Sequence, residues 1–161
     1  MALTNYKPKL AIVYASATGH TERLAEMVTD ASVRHGLQPE VFSVKEFDLS
    51  ELLRYDIVVV GTYTWMNGEI PRQLHRLFEA IEQQSGNLVT GVFGTGDRCF
   101  ATYCGAVDLF RDMLHAKTRL AATLKVEQMP SADDRPRCDA FVKSVRVKYN
   151  QYSKTLPMVK S

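Results

Sequence analysis

Long apolar runs, paired cysteines and repeats are all missing from this chain, and each absence closes off a class of protein. No stretch approaches the ~20 consecutive apolar residues of a membrane-spanning helix, so no membrane span is expected. The opening Met1–Tyr6 segment has no apolar signal-peptide core, which makes the cytoplasm the expected compartment. Cys99, Cys104 and Cys138 are odd in number and form no Cys-x-x-Cys pair, which argues against both a disulfide framework and a metal site. Aromatic residues are only 9% of the chain, too few and too little interleaved with cations to build a nucleic-acid platform. What is present suits a globular unit. With 161 residues, 45% of them apolar, one domain can bury a full core. The expected layout is a single domain over 1–161, with a core from 9 to 150 and flexible tails at 1–8 and 153–161.

The formal charge of +2 hides an asymmetry. Residues 1–134 carry 13 Lys/Arg against 17 Asp/Glu, a net of −4, whereas residues 135–161 carry 7 against Asp139 alone, a net of +6. A basic end of this kind suits an acidic protein, a membrane surface or nucleic acid, or it is a solvated last helix with a frayed tail.

Buried apolar runs alternate with amphipathic ones. Strands are expected at Lys9–Ala15, Glu40–Val44, Asp56–Gly61, Leu88–Phe93 and Arg119–Val126. Helices are expected at Thr21–Arg34, Pro71–Gln84, Gly105–Ala116 and Asp139–Tyr152. His35-Gly36 reads as a left-handed C-terminal cap of the first helix, and Pro71 opens the second. The inward faces are Leu24, Ala25, Val28, Ala31 and Ser32, then Leu74, Leu77, Phe78 and Ile81, then Ala106, Leu109, Phe110 and Met113. Leu49 and the pair Leu52/Leu53 are expected to plug the connector before the third strand, and Met27, Met113 and Met129 to lie in the core. Strands apolar on both faces, separated by helices, predict an α/β doubly wound five-stranded parallel sheet covered on both sides. Ligands in such folds sit at the carboxyl ends of the strands, where strand order reverses.

The strand ends carry the unusual residues. Ser16-Ala17-Thr18-Gly19-His20-Thr21 runs from the first strand straight into a helix. The first amides of a helix have no internal acceptor and sit at the positive end of its dipole, so the junction reads either as an anion site or as an ordinary Ser/Thr helix cap. It holds no lysine, unlike the loop that grips a triphosphate with a Lys and Mg²⁺. Neutral donors suit a single phosphomonoester. The third strand ends in Thr62-Tyr63-Thr64-Trp65-Met66-Asn67-Gly68-Glu69, with the only Trp of the chain, and the fourth in Gly94-Thr95-Gly96-Asp97.

In combination, the Ser-x-Thr-Gly-x-Thr loop, Thr-Trp-x-x-Gly-Glu, and Gly-Thr-Gly-Asp followed by Cys-Gly-Ala-Val-Asp at Cys104–Asp108 resemble the flavodoxin family, in its short-chain branch. The resemblance runs from Lys9 to about Val147. It implies the strand order 2-1-3-4-5 and non-covalently bound FMN. Ser16, Ala17, Thr18, Gly19, His20 and Thr21 match positions that cradle the FMN phosphate, with Thr62, Tyr63 and Thr64 following the third strand and Thr64 adding a hydroxyl. Trp65 matches the aromatic over the inner face of the isoalloxazine. Phe100 or Tyr103 would cover the outer face. Met66, Asn67 and Gly68 border the ring, and Thr95, Gly96, Asp97 and Cys104 meet its pyrimidine edge. Cys104 is expected to serve through its backbone N–H, as a packed residue and not as a reactive thiol. The implied function is a low-potential one-electron carrier, monomeric and without catalytic residues or metal. Its donor would be an NAD(P)H-dependent flavodoxin or ferredoxin reductase, and its acceptors redox enzymes such as cytochrome P450, ribonucleotide reductase or desaturase systems. An FMN-dependent reductase of quinones or similar small acceptors is the alternative.

Two departures from the family stand out. Many members place Gly after the Trp, where a peptide turns over to accept a hydrogen bond from flavin N5–H; Met66 raises the cost of that turn, and Asn67 offsets part of it. Members are also strongly acidic, whereas here Arg98 adjoins Asp97 and Arg72 and Arg76 follow Trp65. A cation near the ring favours the reduced, anionic cofactor.

Overall fold

Alternate residues of one strand point to opposite faces, and in this chain both sets are apolar. In the computed structural model, which describes residues 7–64, 68–84, 87–98 and 103–154, the first strand β1 (Leu10–Tyr14) sends Leu10 and Ile12 into one core and Ala11 and Val13 into another. The same division runs through β3 (Ile57–Tyr63), where Ile57 and Val59 face one side and Val58 and Val60 the other. A sheet with two apolar faces must be covered twice. Helix α1 (His20–Arg34) and the last helix α4 (Arg135–Ser153) cover one face, through Leu24, Val28 and Ala31 and through Phe141, Val142 and Val145. Helices α2 (His75–Gln84) and α3 (Gly105–Lys117) cover the other with Leu77, Ile81, Phe110 and Leu114. With β2 (Pro39–Ser43), β4 (Val89–Gly96) and β5 (Arg119–Glu127), the five strands are parallel and stand in the order β2-β1-β3-β4-β5. This is the flavodoxin-like order that the motifs imply.

Glycine sets the spacing across the middle of the sheet. Gly61 and Phe93 are register partners on β3 and β4, and a Cβ on Gly61 would lie 2.5 Å from the Phe93 ring. Phe93 therefore lies across its neighbour strand and meets Phe141 of α4 edge-on, with ring centroids 6.2 Å apart. At the end of α1, Gly36 takes φ +81° as its cap position demands, while the Leu37 amide donates to the Ser32 carbonyl at 2.9 Å. The Arg146 guanidinium of α4 donates to the neighbouring His35 carbonyl, so the last helix caps the first.

Several sequence expectations need correction. Leu109 is exposed because the buried stripe of α3 is Ala106, Val107, Phe110, Met113 and Leu114, a face rotated by about one residue. Met129 is exposed in the turn after β5 and is no part of the core, unlike Met27 and Met113. Of the pair before β3, Leu52 is buried and Leu53 points to solvent, since the segment is a 3₁₀ helix over Leu49–Arg54. The last helix starts at Arg135, four residues early, because Ser131 and Asp134 cap each other's amides just upstream and Pro136 is tolerated in a first turn. β5 runs through Glu127 with no inserted loop, as the short-chain branch implies, and its one irregularity is an extra residue, Ala121, opposite Thr90/Gly91.

The tightest point in the sheet yields a test. A Cβ on Gly94 would lie 2.4 Å from Val107 Cγ2 and 2.6 Å from the Thr62 carbonyl oxygen, which is backbone and cannot swing away. Gly94→Ala should destabilise the fold by about 1–3 kcal/mol, as overpacking does, measured as a lower urea midpoint at unchanged slope.

Candidate functional site

Sheet register brings three loops to one place. Tyr14 lies beside Gly61, Tyr63 beside Thr95, and Gly96 beside Glu127, so the segments after β1, β3 and β4 leave the sheet at the same end. Helix α1 departs toward one face and α2 and α3 lie on the other, so a crevice opens where the strand order reverses between β1 and β3.

The loop after β1 is built to donate. Gly19 caps α1 at φ +92°, and a Cβ there would meet nothing within 4 Å, so its backbone angle, and not lack of room, calls for glycine. Ser16 Oγ accepts from the Gly19 amide at 3.1 Å and the Glu22 amide at 3.3 Å. A hydroxyl has two lone pairs, so both are engaged and its hydrogen is left to donate. Ala17 and Thr18 are exposed, and the His20 and Thr21 amides belong to a first turn with no internal acceptor. Thr21 contributes differently. Its side chain is buried and bonded to Thr95 Oγ1 at 2.9 Å, which pins the start of α1 to the end of β4. No cation belongs to this loop, and the first one beyond it, Arg23, is paired with Glu26 at 3.0 Å.

The loop after β3 folds back on α3. Thr62 is fully buried and its hydroxyl donates to the Tyr63 carbonyl at 2.7 Å, so that side chain is held inside the fold. Tyr63 is half-buried, and burial pushes its phenol above the usual range. Thr64 Oγ1 accepts from the Ala106 amide at 3.4 Å, again leaving the hydroxyl hydrogen available. Gly68, at φ +80°, lies so near Gly105 that a Cβ on Gly105 would stand 2.8 Å from Gly68 Cα. Trp65, Met66 and Asn67 lie outside the described residues, as does Phe100.

The loop after β4 is held by its surroundings. Gly96 packs on Cys104, whose amide would be 2.9 Å from an added Cβ, and its carbonyl accepts from the Gln128 amide at 2.7 Å. Gln128 reaches this position at φ +50°. Asp97 is half-buried beside Gly96. Tyr103 is half-buried under two cations, with Arg98 Cζ 4.7 Å and Lys125 Nζ 5.9 Å from its ring centroid. Arg98 Nε is also 3.8 Å from Glu127 Oε1, and Lys125 pairs with Asp108 at 2.8 Å. Burial, ahead of the neighbouring Cys104, raises the Tyr103 phenol. Cys104 caps α3 at φ +52° with its thiol fully buried, which pushes the thiol up to about 11. At neutral pH it is a protonated, packed thiol.

The contacts of Lys125, Glu127 and Gln128 with the loop after β4 were not legible in the sequence. Their place depends on the register of β5 against β4, and only the alternation of β5 hinted at it. A separate groove of about 270 Å³, lined by Tyr14, Glu22, Glu26, Asp30 and Val41 among others, runs between α1 and β2. Its carboxylates repel anions, and Tyr14 donates to Glu22 at 3.3 Å there, so it is distinct from the donor loop.

A family model described as flavodoxin matches residues 12–141. The chain is 37% identical over 139 residues to probable flavodoxin 1 of Bacillus subtilis, covering 84% of this chain and 88% of that protein. It is 34% identical over 133 residues to a flavodoxin of Maridesulfovibrio salexigens, covering 78% and 90% respectively. Among solved structures, a flavodoxin of Streptococcus pneumoniae TIGR4 superposes with a TM-score of 0.80 at 30% identity, covering 86% of this chain and 98% of that one.

Burial of Cys104 has a measurable consequence. Because its thiol ionises only toward about 11, iodoacetamide at pH 8 should leave it unmodified in the folded protein and label it fully in urea, read by peptide mass mapping. Rapid labelling of folded protein at pH 8 would refute the packed-thiol assignment.

Proposed function

This chain belongs to the flavodoxin family, and from that premise we propose that it shuttles single electrons at low potential from a flavoprotein reductase to acceptor redox enzymes, its FMN seated in the crevice at the carboxyl ends of β1, β3 and β4. Flavodoxins are electron-transfer proteins that carry FMN, and they are not enzymes. FMN supplies the one-electron chemistry; the chain supplies the seat. The observation that supports this seat most directly is the loop from Ser16 to Thr21. Its donors are neutral, its first-turn amides have no helical acceptor, and Gly19 keeps the approach open.

Each element then has a task. Ser16 and Thr18 hydroxyls and the amides of Ala17, His20 and Thr21 hold the phosphate, Gly19 turns the loop into the helix while its own amide donates to Ser16 Oγ, and Thr64 offers one more hydrogen. Thr21 and Thr95 act through each other, fixing the loop to the sheet. Thr62 acts from behind, by holding the Tyr63 carbonyl and with it the course of the loop. Gly96, Asp97 and the Cys104 amide line the pyrimidine edge, held in place by Gln128 and by the close packing of Gly96 on Cys104. Trp65 covers one face of the ring, and Met66, Asn67 and Gly68 border it. Phe100 or Tyr103 covers the other. Tyr103 already carries Arg98 against its ring.

The phosphate test is direct. Thr18→Glu should weaken FMN about a hundredfold, since unit charges ~5 Å apart repel by ~3 kcal/mol at an effective dielectric of about 20. Riboflavin has no phosphate, so its affinity should be weak and unchanged by the substitution. Flavin fluorescence quenching measures both. Equal loss for the two ligands would place the phosphate elsewhere.

Arg98 provides a second test. Its guanidinium is partly countered by Glu127 and its side chain is 70% exposed, so solvent and salt attenuate its field. Arg98→Asp should still move the lower of the two one-electron potentials in the negative direction, read by spectroelectrochemistry, with the shift shrinking as salt is added. No shift at low salt would remove Arg98 from the factors that set the potential.

A further inference from the structure

The basic end of the chain has no part in the flavin site, and most of its cations among the described residues stand in no ion pair. Helix α4 carries Arg135, Arg137, Lys143, Arg146 and Lys148, with Lys154 at its C-terminal cap, against Asp139 alone. Asp139 is taken by Arg34 at 2.8 Å and His35 at 3.5 Å, both on the α1 side, and those partners hold its carboxyl below the usual range. Arg137 pairs with Asp134. Arg135, Lys143, Arg146, Lys148 and Lys154 stand in none of the ion pairs among the described residues. Elsewhere in the described chain some cations pair with acids, as Arg54 does with Glu51, Lys125 with Asp108 and Arg111 with Asp108 and Asp112, while Lys45, Arg72 and Arg76 among others stand in none of these pairs.

Two of the unpaired lysines flank a groove. Lys143, Ser144, Val147, Lys148 and Gln151 of α4 and Ala121 of β5 line a depression of about 310 Å³ along the edge of the sheet. Val147 is 44% exposed there, and Ala121, the extra residue of the β5 bulge, adds a small apolar wall. β5 is an edge strand, and Arg119 beside the groove is stacked on the Tyr152 ring, its Cζ 4.2 Å from the centroid. An apolar floor between two ammonium groups matches a short segment with an apolar side chain flanked by carboxylates. The sparse aromatics that argue against a nucleic-acid platform leave protein as the fitting partner.

We propose that the α4–β5 groove docks an acidic segment of a partner protein, with carboxylates on Lys143 and Lys148 and an apolar side chain on Val147 and Ala121. The site lies on the flank of the sheet, apart from the loops after β1, β3 and β4, so a partner can be held there while the crevice stays open. The proposal is independent of the reading of the flavin seat.

The test uses the full FMN-loaded chain and the probe acetyl-Glu-Glu-Leu-Glu-Glu-amide, followed by amide chemical shifts. Shifts should gather on α4 around Lys143–Gln151 and on β5 around Ala121, and binding should weaken as salt rises. Lys143→Glu with Lys148→Glu should weaken the peptide about tenfold or more, and the milder pair Lys143→Gln with Lys148→Gln should fall between. Both should retain FMN as the parent does, which separates this site from the flavin seat and verifies folding. Absence of peptide binding, equal binding of the glutamine version of the peptide, unchanged affinity in both variants, or shifts centred elsewhere overturns the proposal. So does tighter binding to phosphatidylglycerol-containing vesicles or duplex DNA than to the peptide, which would make the face a lipid or nucleic-acid surface.

Discussion

A parallel sheet cannot leave either face wet, and that constraint governs the whole molecule. Parallel strands need crossovers, the crossovers are helices, and each helix must bury its apolar stripe on the sheet. Leu10 and Ile12 demand α1 and α4, while Ala11 and Val13 demand α2 and α3. Covering both faces forces the chain to reverse its winding once, between β1 and β3. The crevice at that reversal is a by-product of coverage, and the donor loop after β1 stands beside it because β1 is the strand at the turn.

The crevice is kept in shape by polar contacts that cross elements. Thr21 and Thr95 share a hydrogen bond inside the fold, Thr64 accepts from Ala106, and Gly96 accepts from Gln128. These join α1 to β4, the end of β3 to α3, and β4 to the end of β5. None is large alone, since a typical hydrogen bond contributes about 1 kcal/mol net. Together they tie the described ends of these loops to the sheet and to α3. A rigid seat is what an electron carrier needs, because reorganisation around the cofactor opposes transfer. Glycine does the complementary work, letting Gly94 meet Val107 and Gly68 meet Gly105 where no side chain could fit.

Much of this was legible in the chain. Asp56–Gly61 announced a buried strand, and His35-Gly36 announced a cap. What stayed hidden depended on pairing or on rotation about a helix axis. Lys125 and Gln128 reach the flavin loop only through the register of β5, which residue type does not encode. Leu109 was misplaced because a rotation of one residue turns an apolar side chain outward, and the stripe of α3 offers Val107 and Leu114 in its stead. The start of α4 was missed because polar capping at Ser131 and Asp134 set it, upstream of any apolar period.

The clasp between Arg146 and the His35 carbonyl has a consequence for how the chain is made. The core shared by α1 and α4 draws on residues from Leu10 to Tyr152, close to both ends of the sequence. As the chain emerges from the ribosome, α1 and the strands it covers are ready early, yet half of that face stays open to water until the final helix has been synthesised. The contacts that close it are among the longest-range in the chain, and such contacts form late because the intervening loop must first be ordered. Until then the nascent sheet exposes an apolar face, the kind of surface that chaperones hold. The C-terminal helix is thus the lid of the fold, set in place last, and only then is the first helix fastened at the end opposite the donor loop.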